Sequence, residues 1–176
     1  MEAGAQTRQH DDIGLDPFAG YSDQEQPLAG RITLVAAFSA SLAAAGLAAR
    51  VTGHGPPERP HPADVAMVGL ATHKLSRLLA KSKATSFLRA PFTEFEGSRG
   101  AGEVSERPRG HGVRRAVGEL VVCPYCLSQW IAAGFTTGLV LAPRATRLVA
   151  ASYSAQTLAD FLQLAYLAAE KRADRG

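Results

Sequence analysis

The sequence predicts an all-α, multi-pass membrane protein in which three or four spanning helices are joined by a basic cytosolic loop. Three observations carry that expectation. Charge is segregated: residues 32–49 and 120–142 hold no charged side chain and 148–169 hold only Asp160, although the whole chain, 46% hydrophobic and 20% charged, has the composition of a soluble protein. Basic residues crowd one connector, with ten Lys and Arg between Lys74 and Arg115. Cysteine is limited to Cys123 and Cys126, which excludes a disulfide-dense secreted scaffold. The net charge of +3 suits acidic partners such as lipid headgroups.

Residues 1–30 read as a disordered polar tail without apolar periodicity. Its acidic residues, among them Asp11, Asp12 and Asp16, are the opposite of a basic signal-peptide start. Residues 31–50 are therefore expected to be an uncleaved first transmembrane helix. At about 1.5 Å per residue, 32–49 just crosses a hydrocarbon core of about 30 Å. The core helix of a soluble bundle is the other reading of such a run. Glycines and prolines then mark 52–62 as a loop.

Over 63–80, Val65, Val68, Thr72, Leu75 and Leu79 fall at helical steps, with Asp64 as a candidate cap. His73, Lys74, Arg77 and Lys81 crowd the second half, so this helix either enters the membrane or lies along its surface. Residues 81–118 form the basic loop. Within it, 85–95 reads as a short interfacial segment and 97–112, rich in Gly, Glu and Arg, as mobile. A helical hairpin over 120–169 turns at Pro143, and 170–176 is a basic tail. A central Asp costs about 2.5 to 3.5 kcal/mol in a span, so Asp160 is expected to face other helices.

Because Lys and Arg concentrate on the cytosolic side, the central loop and the C-terminus are expected to be cytosolic. Three spans and four spans both put fifteen of the 19 basic residues inside, so charge does not choose between them. The acidic tail favours four, with the N-terminus inside.

The sharpest local motif is Cys123-Pro124-Tyr125-Cys126. It is expected to open a helix, with Pro124 in the first turn and the helix N-terminus lowering the pKa of Cys123. Glutaredoxins share these four letters, but the two apolar helices after them do not supply a thioredoxin-like fold. Dithiol redox chemistry, a zinc site completed by His73 and His111, and simple packing of two reduced thiols all stay open, the last being preferred. Lys74, Arg77, Lys81 and Arg89 form a basic patch suited to anionic lipid or to fixing topology. Gln156, Asp160 and Gln163 share one helix face, either as interhelical hydrogen-bonding groups, with Ser128 or Gln129 as partners, or as an ion path. No nucleic-acid module accompanies the charge, and no phosphate loop, catalytic triad or cofactor motif occurs. The expected partner is the bilayer, with a second copy of the chain left open.

Two segments carry a resemblance: GLATHKLSRLLAKSKATSFLRAPF at 69–92 and GVRRAVGELVVCPYCLSQW at 112–130. They resemble the bacterial domain of unknown function 1360 family over about 64–167. The resemblance implies a bacterial multi-pass membrane domain over 63–169, with one branch linked to sporulation, and no activity or cofactor. The matching positions are Arg77, Arg89, Pro91, Glu119, Cys123, Cys126 and Trp130. The expected function is a non-enzymatic envelope protein, with a membrane thiol oxidoreductase and a zinc module or sensor as alternatives.

Overall fold

The computed structural model describes residues 18, 20–22, 26–55 and 59–175, so most of the expected polar tail lies outside the described residues. The described chain is largely helical, with six α-helices and one hairpin. In order they are α1 (Leu28–Val51), α2 (Pro62–Lys81), a 3-10 turn, α3 (Ser86–Arg89), β1 (Thr93–Arg99), β2 (Glu103–Pro108), α4 (Gly112–Val122), α5 (Pro124–Leu141) and α6 (Pro143–Ala173).

Local chemistry sets the helix starts. Pro62, Pro124 and Pro143 each occupy a first-turn position, where a missing N–H costs nothing and a fixed φ suits the helix. His61 caps α2, its Nδ1 accepting from the Ala63 N–H at 3.3 Å. Asp64, the cap expected from sequence, stands inside the first turn and pairs instead with Arg147 of α6 at 2.7 Å.

Four long helices lie side by side. α2 and α6 run parallel: Asp64 meets Arg147 at one end and Lys74 meets Asp160 further along. α5 turns back into α6 at Ala142 and so runs against it. α1 runs with α5, Phe38 edging onto Trp130 with centroids 5.1 Å apart and Ala49 reaching the level of Val140. The starts of α1 and α5 and the end of α2 therefore share one end of the bundle, the near end. The end of α1, the starts of α2 and α6 and the end of α5 share the far end.

The bundle interior is built from small side chains. Ala71, Thr72, Ser76 and Ala80 of α2 and Ala150, Ser154 and Thr157 of α6 are buried, and Phe135 is the one large buried residue of α5. Ser154 Oγ donates to Met67 O at 2.7 Å and Thr157 Oγ1 to Leu70 O at 2.8 Å, so hydroxyls tie α6 to the α2 backbone. Met67, Val68 and Leu75 of α2, Ile131 of α5 and Tyr153 of α6 pack half-buried against this core, while other large apolar side chains point outward: Ile32, Val35 and Leu47 of α1 and Leu148, Leu158 and Leu162 of α6 are all more than half exposed.

The near end carries a cap made of α3, the hairpin and α4. The stretch expected to be a mobile loop is an antiparallel hairpin pairing Thr93 with Pro108 and Arg99 with Glu103. Its turn places Ala101 at φ 60° and Gly102 at φ 75°, the left-handed pair that matches the twist of the strands. Glu94–Arg107 bridges the strands at 2.7 Å. The loop reading failed because charge hides the strand alternation, and only Thr93 and Val104 of the strands are buried.

Among the described residues, α1 is the one helix long and apolar enough by itself to cross a membrane. α4 and α5 meet that requirement together, across an 85° bend. Composition alone thus does not bear out three or four spans. His73, Lys74 and Arg77 interrupt α2, and Gln156, Asp160 and Gln163 interrupt α6. Nor is 120–142 one helix, because the chain turns its corner at Cys123.

Candidate functional site: the dithiol corner and the capped end

Cys123 is at once the last residue before α5 and the hinge of the bend from α4. Its extended backbone, φ −101° and ψ 105°, stops α4, and Pro124 starts α5. Cys123 Sγ accepts from the Cys126 N–H at 3.2 Å, doing the work of an N-cap oxygen. One helical turn on, Cys126 Sγ lies 2.6 Å from Cys123 Sγ, and both thiols are free. Cys126 is exposed and Cys123 half-buried. A disulfide bond is about 2.05 Å long, so closing the pair requires only a small displacement.

The corner is held from two sides. Arg31 of α1 donates to Glu119 of α4 from Nε at 3.1 Å and Nη2 at 2.9 Å. Gly30, one residue earlier, has no room for a Cβ, which would lie 2.7 Å from Gly112 O and 2.8 Å from Ala116 Cβ. Glycine there is what lets the α1 and α4 backbones approach closely.

The basic residues singled out from sequence separate into different environments. Arg89 is 1% exposed and does not face a headgroup layer. Its guanidinium donates to Glu106 Oε2 at 2.6 Å, Thr85 Oγ1 at 2.9 Å, Ser82 O at 3.0 Å, and Leu79 O. It therefore caps the carbonyls at the end of α2 and pins the hairpin there. Arg77 forks onto Glu103 at 2.7 and 3.1 Å. Lys74 donates to Asp160 Oδ2 at 2.6 Å, so Asp160 meets α2 through an ion pair and not through Ser128 or Gln129. Lys81 makes no ion pair among the described residues.

Gln156 and Gln163 are exposed. Gln163 borders the groove between α2, the hairpin tip and α6 that also holds Lys74, Arg77 and Asp160. His73 stacks on Phe161 with centroids 6.2 Å apart, and His111 precedes α4. Among the described residues, no three or more His, Cys, Asp or Glu side chains are grouped to hold a metal ion. Neither histidine completes a site with the cysteines.

The residues that carried the resemblance gather at the near end. Pro91 accepts from Arg114 at 2.7 and 3.0 Å, Glu119 takes Arg31, and Trp130 meets Phe38. The acidic partners Glu103, Glu106 and Glu119 complete these contacts, and sequence reasoning gave roles to none of the ion pairs they make. Arg115 pairs with Glu119 at the helical spacing of four, at 3.5 Å, but Arg77, Arg89 and Arg31 stand 17 to 88 residues from their acidic partners, beyond any helical or strand spacing.

A family profile described as "Protein of unknown function (DUF1360)" matches residues 67–166. The chain belongs to this family. The DUF1360 match begins inside α2 and ends inside α6, taking in the whole cap and the dithiol corner and leaving out α1. No curated protein and no solved structure matches the chain.

Proposed function

We propose that this DUF1360 protein is a non-enzymatic integral membrane protein whose four long helices, α1, α2, α5 and α6, all span the bilayer, with the cap and the C-terminus in the cytosol. One observation carries the reading: apart from Phe135, the fully buried helix contacts are made by small and hydroxyl-bearing residues, Met67, Val68, Leu75, Ile131 and Tyr153 pack beside them only half-buried, and many other Leu, Ile, Val and Phe side chains cover the outside. Water drives the reverse arrangement. In lipid, whose tails are as apolar as Leu, helices associate through close backbone approach and hydroxyl-to-carbonyl bonds.

Two further features support it. α2 runs the length of the bundle beside α6, which favours four spans over three. The charges that interrupt α2 and α6 are paired, Lys74 with Asp160 and Asp64 with Arg147, which lowers the cost of placing them within an apolar slab. The near end holds most of the Lys and Arg, so the positive-inside bias turns it to the cytosol. An envelope role, including the sporulation branch that the resemblance implies, fits a protein of this kind.

The test is labelling of intact cells with a membrane-impermeant maleimide, using single reporters on a background lacking both native cysteines. Gly55→Cys and Ala145→Cys are expected to label; Gly100→Cys and Asp174→Cys are expected to stay shielded until the cells are opened. Labelling at 100 without opening would refute the orientation. Shielding at 55 with labelling at 145 would leave three spans.

The proximity of the two sulfurs favours one second reading, thiol–disulfide exchange at the membrane surface. A Cys123 thiolate attacks a partner disulfide, forming a mixed disulfide and expelling one partner thiolate. The remaining thiol then closes the Cys123–Cys126 bond and expels the second, leaving the partner reduced by two electrons. Replacing both cysteines by serine separates the readings: loss of phenotype with normal insertion supports exchange, and an unchanged phenotype refutes it.

A further inference from the structure

α1 and α5 meet at Phe38 and Trp130 and then part, leaving a cleft of about 600 Å³ at the far end of the bundle. Its walls are Leu42, Ala45 and Gly46 on α1 and Thr137, Val140 and Leu141 on α5. Arg50 and His54 stand at its mouth. Arg50 is exposed and its guanidinium makes no ion pair or hydrogen bond among the described residues, whereas its far-end neighbour Arg147 is matched by Asp64. A Cβ placed on Gly46 would meet nothing within 4 Å, so the cleft is open space beside the α1 backbone.

We propose that this cleft seats one acyl chain of an anionic phospholipid from the facing leaflet, with its phosphate on Arg50. The proposal rests on the membrane reading above. From Leu42 to Arg50 the cleft follows α1 for about 12 Å, close to one leaflet's half of a hydrocarbon core of about 30 Å. A chain lying along it brings its headgroup to the level of the guanidinium. Charge complements that placement, because the Arg50 guanidinium meets no carboxylate among the described residues. A helix from a second copy is a poor fit, since it is about 10 Å across and α1 and α5 stay joined at one end of the cleft. The large neighbours Leu42, Val140 and Leu141 keep the trough apolar, while Gly46 and Ala45 hold it open.

The experiment uses the full chain reconstituted in vesicles of phosphatidylethanolamine and phosphatidylglycerol, extracted into mild detergent and weighed by native mass spectrometry. The wild type is expected to retain one phosphatidylglycerol per chain. Gly46→Leu fills the cleft and replaces a helix-interior glycine with a stronger helix former, so it folds and lowers retained lipid about tenfold. Arg50→Gln, at an exposed and unpaired position, lowers retention of phosphatidylglycerol about fivefold and removes its preference over phosphatidylethanolamine.

Unchanged retention in both variants overturns the proposal. So does a retained mass equal to a second chain that Gly46→Leu removes, which would make the cleft a protein seat. Alkaline carbonate extraction of the same membranes distinguishes the two levels of failure. A chain that stays in the membrane but ignores both substitutions refutes only the lipid seat, and a chain that washes out refutes the membrane reading itself.

Discussion

The bundle and its cap obey opposite rules. In the bundle, the buried side chains are Ala, Ser and Thr, with Phe135 the exception, and the exposed ones include Ile32, Val35, Leu148 and Leu162. In the cap, a charged pair is buried, Arg89 at 1% and Glu106 at 6% side-chain exposure, and the exposed hairpin positions are mostly polar, with Phe95 the exception. On the membrane reading proposed above, one region is arranged for a solvent that offers no hydrogen bonds and the other for water. The difference teaches that the interior of this protein is not defined by apolarity. It is defined by where two backbones must come close, or where a charge must be held.

The comparison is broken most severely at Arg89. Arg89→Ala leaves Glu106 buried without its counter-charge and uncaps the end of α2, at a cost of about 3 to 5 kcal/mol. Hydrogen exchange over 93–108 is expected to become fast while the far end of the bundle stays protected. The exposed fork between Arg77 and Glu103 is worth about 1 kcal/mol or less, so Arg77→Ala should leave hairpin protection in place.

Next in size is a pair of opposite substitutions in the bundle. Ala150→Leu overpacks a fully buried contact with α2 and costs about 1 to 3 kcal/mol. Leu162→Ala, on the outer face, stays within about 0.5 kcal/mol. Thermal unfolding in detergent micelles reads both. If Leu162→Ala proved the more damaging, the outer face would be a core and the contrast would fall.

A similar effect attends the ion pair between α2 and α6. Lys74→Ala leaves Asp160 without its counter-charge in a spanning helix and is expected to cost about 1 to 3 kcal/mol. A double-mutant cycle with Asp160→Asn measures the coupling. Smallest is Thr157→Val, which removes one hydroxyl bond between helices, worth about 0.6 kcal/mol. That loss should be visible as a slight drop in midpoint with no change in fold.

The bundle was far more legible than the cap. Uncharged runs marked α1 and α5, helical steps marked α2, and Pro124 marked the start of α5, because these signals are local. The hairpin was not legible, since its strands carry Glu94, Glu96, Arg99, Glu103, Glu106 and Arg107, bury Thr93, Val104 and the side chain of Glu106, and turn at Ala101-Gly102, which was read as loop. The corner at Cys123 was half legible: the motif announced a helix start, but nothing local announced an 85° bend. The ion pairs were illegible in principle. Arg31–Glu119, Lys74–Asp160 and Asp64–Arg147 join residues 88, 86 and 83 apart, and only the packed helices bring them together.

The central claim is that lipid, not water, surrounds the outward-facing Leu, Ile and Val. Trp130 is the chain's single tryptophan, about 9 Å along α5 from its start, so its fluorescence reports on one known depth. In reconstituted vesicles, phospholipids brominated along the acyl chain are expected to quench Trp130 strongly, and aqueous iodide weakly. Strong quenching by iodide with none from brominated lipid, together with monodisperse protein in detergent-free buffer, would contradict the account.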